Sequence, residues 1–198
     1  MRRLFLFNVI VLFFLMLLSS CGSTYTVEAL QKTLDRLGIK ADSVKNLDSK
    51  QLKKLIKQKE KEFVAQNIIN ALDKREYSID ITRMYPRRIG MINVNGGYSL
   101  EVRNDSVFSY LPYFGVAYNV PYGGGNGLNF VSPILYYEDG YLEKGLYCVE
   151  IDVDLNNDYI RYHIEVYDNG NTTIYVESRN RESISYDGNF VYDLDIKR

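Results

Sequence analysis

The sequence predicts a mainly β domain that follows N-terminal amphipathic α-helices. Three observations predict this fold class. Apolar residues recur at three- and four-residue steps up to about residue 75, and at alternate positions afterwards. The alternating part holds every tyrosine except Tyr25, and tyrosine favours pleated strands. Turn sequences separate these segments without interleaved helical patterns, which indicates short antiparallel connections.

The start of the chain predicts a lipoprotein signal peptide. The basic residues of MRR precede an apolar stretch at 4–18, which is shorter than the roughly 20 residues of a membrane span. It ends in LSSC at 18–21, which resembles the bacterial lipobox. The resemblance implies cleavage before Cys21 and lipid attachment to its thiol, palmitate included. The alternative is an ordinary secretory signal with an accidental cysteine.

Two segments have helical periodicity before the alternating region begins. The first, TVEALQKTLDRLGI, carries leucines on one face, and Gly38 is a suitable residue to end it. The second is helix 49–74, with Asp48 or Ser49 as its N-cap. Its lysines lie mainly opposite its apolar stripe, which indicates a long surface helix or a stalk.

Alternation then predicts about eight to ten strands. The segments are YSIDITRMYP (77–86), YSLEVRNDSVFSYLPY (98–113), LNFVSPILYYE (128–138), LYCVEIDVDL (146–155), YIRYHIEVY (159–167), TTIYVES (172–178) and ISYDGNFVYDL (184–194). Asn104-Asp105 and Asp168-Asn169-Gly170-Asn171 predict tight hairpin turns. The pattern favours an antiparallel meander barrel of lipocalin-like type or a two-layer sandwich.

The domain organisation follows from these patterns. Residues 1–20 are the predicted signal peptide, 21–75 a lipid-anchored helical segment, and 76–198 a β-rich domain. Basic residues outnumber acidic ones in 21–75, and acidic residues outnumber basic ones in 76–198. The positive segment suits a solvated helix face or attraction to anionic lipid. Because the main domain is acidic and its predicted compartment lies outside the cytoplasm, nucleic acid is excluded as a partner.

The stretch LPYFGVAYNVPYGGGNGLNF (111–130) is dense in aromatic residues and glycine. A P-loop needs Lys and Ser or Thr after its glycines, but an apolar strand follows here. An inter-strand loop over one mouth of the β domain is predicted instead, with an anion-binding backbone nest as the alternative. Tyrosine is enriched at binding surfaces. The candidate ligand-binding residues are Tyr110, Tyr113, Phe114, Tyr118, Tyr122, Gly123, Gly124 and Gly125.

The acidic residues near 150–158 resemble a calcium-binding loop and a catalytic pair of carboxylates, without matching either. Asp154, Asn156 and Asp158 have EF-hand spacing, but Tyr159 replaces the glycine that the calcium loop needs. A hairpin turn is predicted there. Glu150, Asp152 and Asp154 share one strand face and are predicted to be solvated.

His163 is the single histidine, and it is predicted on the polar face of its strand. No serine or cysteine close in sequence forms a dyad with it, and there is no second histidine for a metal. With Cys21 lipidated, Cys148 has no disulfide partner. No catalytic residue, metal site or cofactor is therefore predicted.

Several stretches resemble a known family. The stretch at 110–130, YPRRIG (85–90) and YDNGNTTIYVESRNRESISYDG (167–188) resemble bacterial, Bacteroidales-type lipoproteins catalogued as domain of unknown function 4251. The resemblance covers about residues 55–195 and has the signature LPYFGxAY…PYGG…GLxF. It implies a lipobox, a helical start and a β-rich body, but supplies no activity and no catalytic residue. Some lipoproteins of such bacteria carry an acidic export run after the cysteine. CGSTYTVE lacks it, which favours the periplasmic side.

We therefore expect a lipoprotein of the cell envelope, held in the outer membrane by lipid on Cys21 and facing the periplasm. The leading hypothesis is non-catalytic binding of a small ligand or an envelope protein through the Tyr/Gly-rich region. The alternative is a structural envelope-assembly subunit that interacts through helix 49–74. A third hypothesis is a hydrolase using Glu150 or Asp152 with His163.

Overall fold

The structure, a computed structural model, describes residues 27–44, 47–118, 127–156 and 158–192. The helices are α1 (Val27–Arg36), α2 (Ala41–Val44) and α3 (Ser49–Lys74). The strands are β1 (Glu76–Pro86), β2 (Ile92–Asn93), β3 (Ser99–Arg103), β4 (Ser106–Leu111), β5 (Leu128–Pro133), β6 (Tyr136–Glu143), β7 (Leu146–Asp154), β8 (Tyr159–Tyr167), β9 (Asn171–Ser178) and β10 (Ile184–Val191). The chain divides into two compact units, one ending at Phe63 and one beginning at Val64.

The unit that ends at Phe63 is helical in its described part. Gly38 has a φ of +63° just after α1, as expected of a residue that ends a helix. Asp48 caps α3: its carboxylate accepts the Gln51 amide at 2.7 Å, and the Gln51 side chain accepts the Asp48 amide at 3.0 Å. The predicted helix 49–74 is confirmed with the same bounds. The short helix α2 was not predicted.

None of the helices in the described part of the chain is long and apolar enough to cross a membrane.

The unit that begins at Val64 is built on one antiparallel sheet, ordered β5-β4-β3-β1-β10-β9-β8-β7-β6, with β2 paired to β1. The sheet is curled into a half-barrel. The predicted mainly β, antiparallel meander is confirmed, because most neighbouring strands on this path are consecutive in sequence. The exceptions are the β1–β10 pair and the β1–β3 pair, between which β2 lies in sequence. The barrel does not close, since β5 and β6 do not pair in the described chain.

The half-barrel is open between β5 and β6 because the predicted strand 128–138 is two strands in the structure. β5 pairs with β4 and β6 pairs with β7, so the chain changes partner between them. The Ile134 amide donates to the Asp105 carbonyl at 2.8 Å, and the Leu135 amide donates to the Asp152 carbonyl at 2.9 Å. Ile134 thus donates to the β3–β4 turn and Leu135 donates to β7, which separates β5 from β6.

The inner face of the half-barrel is a packed core. The largest fully buried side chains of this unit include three tyrosines, Tyr77, Tyr162 and Tyr186, and a set of isoleucines and leucines, Ile68, Ile79, Leu100, Leu111, Leu128, Ile151, Ile160, Ile164 and Ile174. Ile68, Ala71 and Leu72 belong to the same cluster, so the last turns of α3 cover the inner face. Side chains and helix therefore fill this side of the sheet.

Candidate functional site

A cleft of about 250 Å³ lies at one end of the half-barrel, and we call it the barrel-end cleft. Three segments form it: the turn after β1, the stretch after β4, and the residues before β10. Its lining residues are Pro86, Arg88, Ile89, Phe114, Gly115, Val116 and Glu182. The walls are mainly apolar, and the charged groups come from one arginine and one glutamate.

The stretch after β4 is held against the chain before β10 by backbone hydrogen bonds. The Glu182 amide donates to the Val116 carbonyl at 3.0 Å, and the Tyr118 amide donates to the Asn180 carbonyl at 2.7 Å. Between these contacts, Ala117 and Arg181 form an isolated bridge. The segment is thereby positioned as a short extra strand beside the cleft.

Tyr113 contacts both this segment and the chain before β10 through its hydroxyl. Its hydroxyl lies 3.0 Å from the Val116 carbonyl oxygen and 3.1 Å from that of Glu182. The Arg181 guanidinium lies 5.6 Å from the Tyr113 ring centre, a cation–π contact. Gly115 makes room, because a Cβ there would lie 2.6 Å from the Tyr113 hydroxyl. Tyr113 therefore has a visible structural role under the cleft.

Glu182 and Arg88 form the polar part of the cleft. Arg88 donates to Oε1 of Glu182 from Nη2 at 2.6 Å and from Nε at 3.0 Å. The Val116 amide donates to Oε2 of the same carboxylate at 3.2 Å. The hydrogen bond from Val116, together with Arg88, lowers the pKa of Glu182. Glu182 is thus a buried, ionised carboxylate with partners for both oxygens.

The other predicted binding residues lie in different surroundings. Phe114 lines the cleft and is 53% exposed, and Tyr118 follows it on the surface. Tyr110 stacks on Tyr98, with ring centres 5.1 Å apart, and is not among the residues that line the cleft. Tyr122 and the glycines Gly123, Gly124 and Gly125 lie outside the described residues, as does Cys21.

A second cluster lies on the outer face of β7 and β8. The sequence analysis considered Glu150 beside His163 but did not place Cys148 or Glu165 there. Cys148 Sγ lies 3.6 Å from Nδ1 of His163 and 3.9 Å from Nε2. Nδ1 is hydrogen-bonded to Glu150, and Nε2 lies 3.6 Å from Oε1 of Glu165. We call Cys148, Glu150, His163 and Glu165 the outer-face cluster. His163 has no cysteine close to it in sequence, but the neighbouring strand β7 places Cys148 beside it.

A signal for this cluster was present in the predicted hairpin at DLNNDY. The register pairs Asp154 with Tyr159, and continuing it backwards pairs Glu150 with His163 and Cys148 with Glu165. Alternate residues of a strand share a face, so this register alone places all four side chains together. The hairpin was predicted, but its pairing was not extended along the strands.

The acidic row on β7 is also less solvated than predicted. Asp152 is buried, and Arg161 donates to it from Nε at 2.8 Å and from Nη2 at 3.1 Å. The Tyr159 hydroxyl donates to the same carboxylate at 2.6 Å. The expectation that Asp152 is solvated is therefore wrong, because these two side chains from β8 cover it.

Comparison with known proteins identifies the family. The profile of a domain of unknown function, DUF4251, matches residues 50–190, which is more than half of the chain. The chain belongs to the DUF4251 family. A crystal structure of a DUF4251 family protein from Bacteroides eggerthii DSM 20697 is similar, with a TM-score of 0.49 and 13% sequence identity. The match covers 65% of this chain and 87% of that chain. No curated protein matches the chain.

The outer-face cluster of this DUF4251 domain is poorly suited to a cysteine nucleophile. Burial, together with the charges of Glu150, Glu165 and Glu138, raises the pKa of the Cys148 thiol. A catalytic cysteine needs an environment that lowers its pKa, because the thiolate is the nucleophile. Burial alone lowers the pKa of His163, but Glu150 and Glu165 outweigh it and raise that pKa. The arrangement favours holding a positive charge between the carboxylates.

Proposed function

We propose that this DUF4251 chain is a lipid-anchored envelope protein that binds a protein partner at the barrel-end cleft, without catalysis. The observation that carries the proposal is the cleft itself, a small apolar recess rimmed by exposed Ile89, Phe114 and Val116. Clustered exposed apolar side chains with a polar surround are typical of interaction sites. The predicted aromatic stretch contributes Phe114 and Val116 to this rim.

The size of the cleft favours a protein over a free ligand. Pockets for drug-sized molecules enclose about 300–1,000 Å³, whereas this cleft encloses about 250 Å³. That volume suits one or two inserted side chains, which is how anchor residues bind at protein interfaces. The Arg88 side chain is also 69% exposed despite its ion pair with Glu182. We therefore infer a partner segment with an apolar anchor residue beside a carboxylate or carbonyl oxygen.

Site-specific photocross-linking in cells tests this proposal. A photoreactive phenylalanine analogue at position 114 should give a discrete protein adduct, because Phe114 lies on the cleft rim. The matched control is the same analogue at Leu142 on β6, which is 59% exposed and does not line the cleft. Arg88→Ala should reduce the adduct at position 114. Equal adducts from both positions, or none from position 114, would contradict the proposal.

The lipid anchor rests on LSSC at 18–21, which resembles the lipobox. We infer lipidation of Cys21 and retention in the outer membrane, facing the periplasm. Cys21→Ala should move the protein from the membrane fraction to the soluble fraction and abolish incorporation of labelled palmitate. Cys148→Ala is the matched control, and it should leave both unchanged. Continued labelling of the Cys21→Ala chain would exclude this anchor.

A groove of about 670 Å³ in the N-terminal unit favours the second candidate, an assembly subunit that interacts through α3. Leu37, Ile39, Leu47 and Leu55 give it apolar walls, and lysines including Lys54 line it as well. Such a surface suits an acidic amphipathic partner. Leu55→Asp should then abolish the interaction while cross-linking from position 114 persists. If Leu55→Asp also abolished the cross-link from position 114, the groove and the cleft would belong to one interface.

A further inference from the structure

We propose that the outer-face cluster is a site for a divalent transition-metal ion, with Cys148, Glu150 and His163 as ligands. Each residue offers one ligand atom, and the three atoms lie within 4.8 Å of one another. The proposal does not depend on the barrel-end cleft, because none of these residues lines it. Zinc is the ion that the donor set fits best.

One distance within the cluster, between the sulfur and a ring nitrogen, matches a tetrahedral centre. Zinc binds sulfur at about 2.3 Å and imidazole nitrogen at about 2.0–2.1 Å, so the two atoms stand about 3.5 Å apart in a tetrahedron. Sγ of Cys148 lies 3.6 Å from Nδ1 of His163. Glu150 is hydrogen-bonded to the same nitrogen. An ion in place of the shared proton would widen that contact to about 3.4 Å. Because Sγ also lies 3.9 Å from Nε2, binding would require the His163 ring to turn Nδ1 towards the ion.

Glu165 is placed to orient the histidine. Its Oε1 lies 3.6 Å from Nε2, the ring nitrogen not assigned to the ion. A carboxylate that accepts the N–H of a ligating histidine fixes its tautomer and leaves the other nitrogen free to bind. The Tyr175 ring packs against the imidazole, with centres 5.7 Å apart. Glu165 is therefore a positioning residue for His163 and is not itself a ligand.

The cluster is open enough for an ion and a water molecule to enter. The side chains of His163 and Glu150 are 34% and 33% exposed. Gly140 faces Cys148 across the β6–β7 pair, and a Cβ at Gly140 would meet nothing within 4 Å. Three protein ligands with an open fourth position leave room for water. Binding releases the Cys148 thiol proton to solvent.

The donor types decide which ion binds. Calcium and magnesium prefer oxygen ligands alone, whereas thiolate and imidazole select zinc and neighbouring transition metals. The carboxylates of Glu138 and Glu165 add negative charge beside the cysteine. An ion of charge +2 balances the thiolate and Glu150, so metal binding removes the electrostatic conflict within the cluster.

Cobalt spectroscopy on the full chain, extracted in detergent, tests the proposal. Co²⁺ should give a thiolate-to-metal absorption band in the near ultraviolet, and Zn²⁺ should displace it. Cys148→Ser should abolish the band, whereas Cys21→Ser, the matched control, should retain it. Zinc affinity measured against a chromophoric chelator should fall more than about 100-fold in Cys148→Ser and about 10-fold in Glu165→Gln, as expected for an orienting residue.

Folding of the variants is checked by thermal unfolding without metal, and Cys148→Ala serves if Cys148→Ser is unfolded. His163→Gln should lose zinc affinity as strongly as the cysteine variants. A wild-type chain without the thiolate band at saturating Co²⁺ would overturn the proposal. A band that persists in Cys148→Ser and disappears in Cys21→Ser would also overturn it, because the thiol would then be Cys21.

Discussion

The inner and outer faces of the half-barrel accommodate their polar groups in different ways. On the inner face, buried tyrosine hydroxyls meet uncharged oxygens: Tyr162 donates to Ser109 Oγ at 3.2 Å, and Tyr186 donates to the Pro112 carbonyl at 2.7 Å. On the outer face, charged groups pair with each other, as Asp152 does with Arg161. The inner face is held by packing, and the outer face by ionised partners.

The two faces therefore differ in the changes that destabilise them. Burial raises the pKa of Tyr162 and Tyr186 far above the physiological range, so the inner face carries no charge from them between acid and neutral pH. Its stability depends on filled volume. The outer face contains carboxylates that titrate, so its contribution depends on pH. Three experiments compare the faces, from the largest expected effect to the smallest.

Removing volume from the inner face should have the largest effect. Tyr162→Ala deletes a fully buried ring and should lower the free energy of unfolding by about 3–5 kcal/mol, the usual cost of truncating a buried aromatic side chain. The matched control is Tyr175→Ala on the outer face of β9, which should cost about 1 kcal/mol or less. Chemical denaturation measures both. Equal losses would contradict the contrast between the faces.

Adding one methyl group at the β1–β10 pair should have an intermediate effect. A Cβ at Gly188 would lie 2.5 Å from the Asp80 carbonyl oxygen and 2.9 Å from Cγ2 of Ile79. Gly188→Ala should therefore destabilise the domain by about 1–3 kcal/mol through overpacking. Gly140→Ala on β6 is the control, because its Cβ meets nothing within 4 Å. If the Gly188→Ala and Gly140→Ala variants have the same melting temperature, the close approach of β1 is not the reason for glycine at position 188.

Titrating the outer face should have the smallest effect. Hydrogen bonds from Arg161, with help from Tyr159 and against burial, lower the pKa of Asp152 from its ordinary value of 3.8. A lowered folded-state pKa stabilises the fold above the unfolded-state pKa, and this stability is lost as pH falls through the folded-state pKa. Wild type should lose it below about pH 4. The exposed part of Arg161 is screened by solvent, so the change is modest.

Asp152→Asn should show a shallower fall of unfolding free energy with pH in that range. Asp105→Asn is the control, because the Asp105 side chain is 89% exposed and its contact with Arg75 is 3.5 Å long. The slope for this control should match wild type. An unchanged slope in Asp152→Asn would show that Asp152 is not an acid-sensitive group.

Much of the fold could be predicted because its signals are local. Alternation placed the strands, and Asn-Gly at 169–170 placed the β8–β9 hairpin, where Gly170 has a φ of +87°. The break between β5 and β6 could not be found in this way. It depends on where the amides of Ile134 and Leu135 find their acceptors, which lie in the β3–β4 turn and in β7, and these contacts are long-range in sequence.

The candidate sites show the same limit. Phe114 was found because aromatic residues are concentrated around it in the sequence. Cys148 and His163 lie 15 residues apart and come together through strand register. A slip of one residue would move one of them to the opposite face. The burial of Asp152 likewise depends on Tyr159 and Arg161 across the hairpin, which composition does not reveal.

The pairing of β10 with both β1 and β9 has a consequence for the timing of folding. Among the described strands, β10 alone links the group β1–β5 to the group β6–β9. The contact between Tyr85 and Asp187 already spans 102 residues. A chain that emerges gradually, from a ribosome or an export channel, therefore holds two separate partial sheets until its last strand arrives. The two partial sheets join only when β10 pairs with both β1 and β9.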